Sequence, residues 1–101
     1  MLTIRFAPEA HALPYRQDVE AGIEQALASH PDTQALVSSA RLSARSTGFE
    51  VRVRQGDRIA KAQIAFPRDP LDAFPTLEDT WRRVRATEQT VRRLLRSTTE
   101  A

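Results

Sequence analysis

Residues Ala40–Phe66 read ARLSARSTGFEVRVRQGDRIAKAQIAF. Ala40, Leu42 and Ala44 alternate with Arg41, Ser43 and Arg45. Phe49, Val51 and Val53 alternate with Glu50, Arg52 and Arg54, and Ala60, Ala62, Ile64 and Phe66 with Lys61, Gln63 and Ala65. Successive side chains of a strand point to opposite faces, so each run has one apolar side and one polar side rich in cations. Ser46-Thr47-Gly48 and Gln55-Gly56-Asp57 carry turn chemistry between the runs, which predicts three strands joined as an antiparallel meander.

Upstream, LTIRF alternates Leu2, Ile4 and Phe6 with Thr3 and Arg5 before Pro8 closes it, which predicts a first strand. In LPYRQDVEAGIEQALASHP the apolar residues Tyr15, Val19, Ile23 and Leu27 recur at helical spacing, with Pro14 suited to the first turn and His30-Pro31 ending the pattern. Gly22 lowers helix propensity by up to about 1 kcal/mol, a cost that close packing against a neighbour would explain. Downstream, the proline-rich PRDPLDAFP reads as a loop. Thr76-Leu77-Glu78-Asp79 resembles a capping box, and the helix it opens runs to Arg96 or Ser97. Its expected seam is Leu77, Trp81, Val84, Val91 and Leu95, with Glu88 intruding and Leu94 widening the stripe; Arg82, Arg85, Arg92, Arg93 and Arg96 fall on an adjacent flank.

The order is strand, helix, three strands, helix. One amphipathic sheet and two amphipathic helices bury their apolar sides most simply in two layers. The expected fold is therefore α+β: a β-α-β-β-β-α sandwich whose mostly antiparallel four-stranded sheet carries both helices on one face. The other face, with Thr3, Arg5, Arg41, Ser43, Arg45, Arg52, Arg54, Lys61 and Gln63, is left open to water. Residues 1–97 form a single domain in this reading, and residues 98–101 a frayed tail.

The 101 residues are 41% hydrophobic and 28% charged, within the globular range. No apolar run approaches the roughly 20 residues of a membrane helix, and the N-terminus lacks a basic start followed by an apolar stretch. A cytoplasmic location is expected, and the absence of cysteine excludes disulfides and thiolate chemistry.

The net charge of +2 is unevenly spread. Residues 1–35 hold two basic and five acidic side chains, residues 36–66 six basic and two acidic, and residues 81–97 six arginines against Glu88 alone. Fourteen of the fifteen basic residues are Arg, whose planar fork binds phosphate through two parallel hydrogen bonds.

Candidates for catalysis are few. His11 and His30 form no H-x-x-x-H or H-E-x-x-H pair, so a metal site of standard spacing is absent and exposed or capping roles explain both. Ser38, Ser39 and Ser43 lack a G-x-S-x-G context. Asp69, Asp72, Glu78 and Asp79 cluster in sequence, and loop solubility with helix capping accounts for them more simply than a cation site. With only Gly22, Gly48 and Gly56, no phosphate loop exists. No enzymatic activity and no cofactor are expected.

What remains is the cationic sheet face and helix flank. Several guanidinium groups on one rigid surface would bind a polyanion with counterion release; a solvated face is the alternative wherever an antiparallel sheet meets water. Phe6, Phe49 and Phe66 point inward by alternation, so no aromatic platform for base stacking stands on the open side, and any binding would read backbone and shape.

MLTIRF, LPYRQDVEAGIEQAL, VSSARLSARSTGFEVRVRQGDRIAKAQIAF and TWRRVRATEQTVRRLLR together resemble, in order and pattern, the ribosome hibernation promoting factors and related ribosome-associated inhibitors. That resemblance implies a non-enzymatic domain whose basic side chains contact ribosomal RNA. Here it would assign RNA contacts to Arg41, Arg45, Arg52, Arg54 and Lys61, with Arg82, Arg85, Arg92, Arg93 and Arg96 in support. A competing expectation is a protein-interaction or assembly subunit without a nucleic-acid role. One form is a homodimer pairing sheet faces or edges, in which Arg52 and Arg54 meet Asp18, Glu20 and Glu24 of a second copy.

Overall fold

The computed structural model describes residues 3–40, 46–67 and 77–99. Its elements are β1 (Thr3–Phe6), α1 (Pro8–His11), α2 (Arg16–Leu27), β2 (Gln34–Ser39), β3 (Ser46–Gln55), β4 (Arg58–Pro67) and α3 (Leu77–Thr99). The α+β architecture is as the sequence leads one to expect. The strands lie side by side in the order β1-β2-β3-β4, with β1 parallel to β2 and the other two pairings antiparallel.

The second strand is displaced from the expected position. It is Gln34–Ser39, and Ala40 follows it as irregular chain. Residues 41–45, with the expected alternation of Leu42 and Ala44 against Arg41, Ser43 and Arg45, lie outside the described residues. QALVSS turns Ala35 and Val37 inward and leaves Leu36 exposed, so an apolar residue on the wet side blurs the period-two signal that marks the other strands. Ser46-Thr47-Gly48, expected as a turn, belongs to β3, where Thr47 faces Phe66 and Gly48 faces Ala65 of β4. The two-residue turn Gly56-Asp57 joins β3 to β4, with Gln55 opposite Arg58. Gly56 has φ 62°, the value that the first position of a tight hairpin turn demands.

The core is the pleat's inward side. Ala35, Val37, Phe49, Val51, Val53, Ile64 and Phe66 meet Val19, Ile23, Ala26 and Leu27 of α2 and Val91, Leu94 and Leu95 of α3. Both helices therefore cover one face. They run in the same direction: Arg83 reaches Asp18 near the start of α2, and Thr87 abuts Gly22 one turn later. A Cβ at Gly22 would lie 2.6 Å from both Thr87 Cβ and the Val84 carbonyl oxygen, so only glycine allows this approach. The short helix α1 is absent from the expected element order. Tyr15, expected inside the long helix, instead precedes it as the N-cap residue at φ 68°, a left-handed conformation uncommon outside glycine. Its ring packs edge-on against Phe66 at 6.0 Å.

The seam of α3 also departs from expectation. Leu77 and Trp81 are 78% and 58% exposed: Leu77 precedes the level at which α2 begins, and Trp81 lies to one side of the buried stripe at 100° per residue. The buried stripe is Thr87, Val91, Leu94, Leu95 and Thr98. Thr87 qualifies because its hydroxyl donates to the Arg83 carbonyl at 2.9 Å, leaving its methyl to meet Gly22. The helix continues to Thr99, past Ser97, since the buried Thr98 donates to the Leu95 carbonyl at 2.8 Å and is 3.2 Å from Gln55 Oε1. Among the described residues no helix is long and apolar enough to cross a membrane.

Candidate functional site

The face turned away from the helices is built by register. Arg5, Leu36, Arg52 and Lys61 are successive partners across the four strands, and Gln34, Arg54 and Ile59 form the neighbouring row. Strands lie about 4.8 Å apart, so Arg5 and Lys61 stand roughly 14 Å apart across the sheet, and Arg52 and Arg54 are separated by about 7 Å along one strand. Arg5, Arg52, Arg54 and Lys61 are all exposed. The one carboxylate among them is Glu50, 3.8 Å from Arg52 Nε, a distance at which an exposed pair has little strength. Arg54 Nε donates to the Gly56 carbonyl at 3.1 Å, which holds that side chain toward the hairpin turn.

Arg5, Gln34, Ala35, Leu36, Arg52, Arg54 and Ile59 line a shallow depression of about 350 Å³. Leu36 and Ile59, the latter 62% exposed, make its apolar part. The inward orientation of Phe6, Phe49 and Phe66 follows the alternation: Phe49 and Phe66 are buried and Phe6 packs against the core. Among the described residues no aromatic ring stands on the open face.

The structure brings together Arg52, Arg54 and Lys61, and register adds Arg5 to them. Arg41 and Arg45 lie outside the described residues. Arg82, Arg85, Arg92, Arg93 and Arg96 are exposed along α3 on the side away from its buried stripe, so they face the opposite direction from Arg52 and Arg54. Within the helix, Arg82 Nη2 is 2.8 Å from Glu78 Oε1 and Arg92 Nη2 is 2.9 Å from Glu88 Oε1. Glu88, expected to intrude into the seam, thus lies beside it. Arg58 at the hairpin turn belongs to the helix side, where it donates to the Thr98 carbonyl at 3.4 Å.

The acidic surface of α2 is smaller than its composition suggests. Asp18 is held by Arg83 and Glu20 by Arg16 at 3.1 Å, leaving Glu24 as the exposed carboxylate of the three that could meet a second copy. His30 Nδ1 lies 3.2 Å from Ser29 Oγ, and His11 lies beside Phe6. Asp69 and Asp72 lie outside the described residues, and Glu78 is committed to Arg82. Among the described residues no group of three His, Cys, Asp or Glu side chains is placed to hold a metal ion.

No protein-family model matches the chain, and no curated protein matches it in sequence. The fold is similar to that of a solved ribosomal subunit interface protein from Coxiella burnetii, with a TM-score of 0.57 over 98% of each chain at 8% sequence identity. At that identity the likeness is one of fold.

Proposed function

We propose that the chain is a non-enzymatic cytoplasmic domain that binds structured RNA, ribosomal RNA in particular, through the open face of its sheet. The observation that carries this reading is the cationic row. Arg5, Arg52 and Lys61 stand in register across the sheet, with Arg54 one pleat repeat along, and Glu50 is the one carboxylate beside them among the described residues. Cationic side chains fixed at their Cα positions by strand register match a phosphate backbone without requiring base recognition, and the absence of stacking rings on the described face agrees with recognition of shape. Arg41 and Arg45 are included among the RNA contacts in this proposal. Likeness of fold to a ribosomal subunit interface protein supports the choice of ribosomal RNA. Arg82, Arg85, Arg92, Arg93 and Arg96 face the other way, so their contacts belong to a second RNA segment meeting α3.

The test is co-sedimentation of the protein with ribosomes and with total RNA at two salt concentrations, beside the double variant Arg52→Glu/Arg54→Glu. Salt-sensitive binding that the double variant loses, with its circular dichroism unchanged, is the expected result. Failure of the unaltered protein to sediment with either material at low salt would end the proposal.

A further inference from the structure

We propose that the outer edge of β4 pairs with the same edge of a second copy, antiparallel and in one defined register. The sheet has two edges. β1 is four residues long, whereas β4 is ten. The hairpin closes on Gln55 opposite Arg58 with two residues between, and in such a hairpin the closing pair exchanges both backbone bonds. Residues 58, 60, 62, 64 and 66 therefore turn their N–H and C=O groups toward β3. Those of Ile59, Lys61, Gln63 and Ala65 point out of the sheet, and no strand among the described residues lies beyond them. Their side chains are all exposed, so approach of another strand meets no packed layer on the open side.

Charge and length select the occupant and the register. When the two-fold axis passes between the Ala62 residues, Lys61 of each copy faces Gln63 of the other and Ile59 faces Ala65. All four outward residues then find partners, giving up to about eight backbone hydrogen bonds. Slipping the copies by one pleat repeat in one direction sets Lys61 against Lys61, a destabilising like-charge pair. Slipping the other way sets Ile59 against Pro67, which has no N–H to give. A lysine on an edge strand ordinarily discourages pairing. In the selected register it faces an amide acceptor instead, and Pro67 falls outside the paired stretch. Ile59, an exposed apolar residue of the depression, acquires Ala65 as a neighbour.

This proposal does not depend on RNA binding. It would, however, join two open faces into one continuous sheet surface carrying both cationic rows.

Because the chain has no cysteine, engineered thiols report the register directly. Lys61→Cys and Gln63→Cys proteins are prepared separately, free of RNA, then mixed under mild oxidation, while sedimentation equilibrium follows the unaltered protein at rising concentration. A mass approaching twice 11.4 kDa, with disulfide dimers in the mixture well above those of either variant alone, is the expected outcome. Gln63→Glu should tighten the dimer and Gln63→Lys weaken it, each roughly threefold to tenfold through two symmetric cross-strand pairs. A single 11.4 kDa species at every concentration, with no cross-linking in the mixture, would overturn the pairing. Equal cross-linking in Lys61→Cys alone would overturn the register. Neither result bears on sedimentation with ribosomes, so the two proposals fail separately.

Discussion

Arg83 and Asp18 meet between α3 and α2 with Nε 2.6 Å from Oδ2, at 14% and 16% side-chain exposure. The guanidinium carbon also lies 4.1 Å from the centre of the Tyr15 ring. One arginine thus ties together the first turn of α2, the residue that caps it in a left-handed conformation, and the flank of α3. Removing either charge strands the other in a nearly enclosed site. Asp18→Ala and Arg83→Ala should each cost about 1–3 kcal/mol, measured by urea unfolding. Arg83→Lys should restore only part, because an ammonium supplies neither the planar stack on Tyr15 nor the directed Nε–H. The double variant should cost less than the sum of the singles.

Gly22→Ala gains up to about 1 kcal/mol of helix propensity and loses more to overpacking, so a net destabilisation of about 1–2 kcal/mol is expected. Thr87→Ser should not rescue it. Two of the three close atoms, Thr87 Cβ and the Val84 carbonyl oxygen, remain after Cγ2 is removed.

At Gly56 the reason for glycine is different. A Cβ there would meet nothing within 4 Å, yet φ is +62°. Gly56→Ala should therefore cost about 1–2 kcal/mol through backbone strain alone, and Gly56→Asn less, since asparagine enters the left-handed region more readily. Thermal unfolding of the pair separates conformational strain from packing.

Trp81 is the sole tryptophan and stands mostly in solvent. Trp81→Ala should change stability by less than about 0.5 kcal/mol, whereas Leu95→Ala, in the buried stripe of the same helix, should cost about 2–4 kcal/mol. An accessible quencher should reduce the tryptophan fluorescence of the folded protein nearly as well as that of the unfolded chain.

If the open face holds phosphates, Arg52→Ala should lower the slope of log affinity against log salt by about one. Arg82→Ala and Arg92→Ala should lower it less, because each guanidinium already has a carboxylate 2.8–2.9 Å away. Equal losses at all three positions would place binding on the helix flank as well as the sheet.

The parts of the fold legible in the sequence were those whose burial is one-sided. Phe49, Val51 and Val53 alternate with charged neighbours, and Val19, Ile23 and Leu27 repeat around a helix otherwise polar, so period alone identifies β3 and α2. β2 is hard to locate from pattern because Leu36 sits on the wet face, which is where sequence pattern and tertiary position part company. The seam of α3 departs from its pattern for the opposite reason. Trp81 has the hydrophobicity of a core residue but stands to one side of the buried stripe in solvent, while Thr87 hides its hydroxyl in a backbone bond and packs as a methyl group. The cationic face was visible by alternation as a list of residues. That Arg5, Arg52 and Lys61 share a single row depends on strand order and register, which no local pattern carries.

The parallel pairing of β1 with β2 sets an order of events. β3 and β4 close through a two-residue turn, and β2 aligns against β3, while Thr3 finds Gln34 only across the whole intervening helix. Closing that larger loop costs more chain entropy and is rewarded by four residues of ladder. Of the four strands, β1 should thus be the last to dock during folding. Its backbone amides should gain protection after those of β3 in pulsed hydrogen exchange, leaving the flank of β2 briefly open in every newly made molecule.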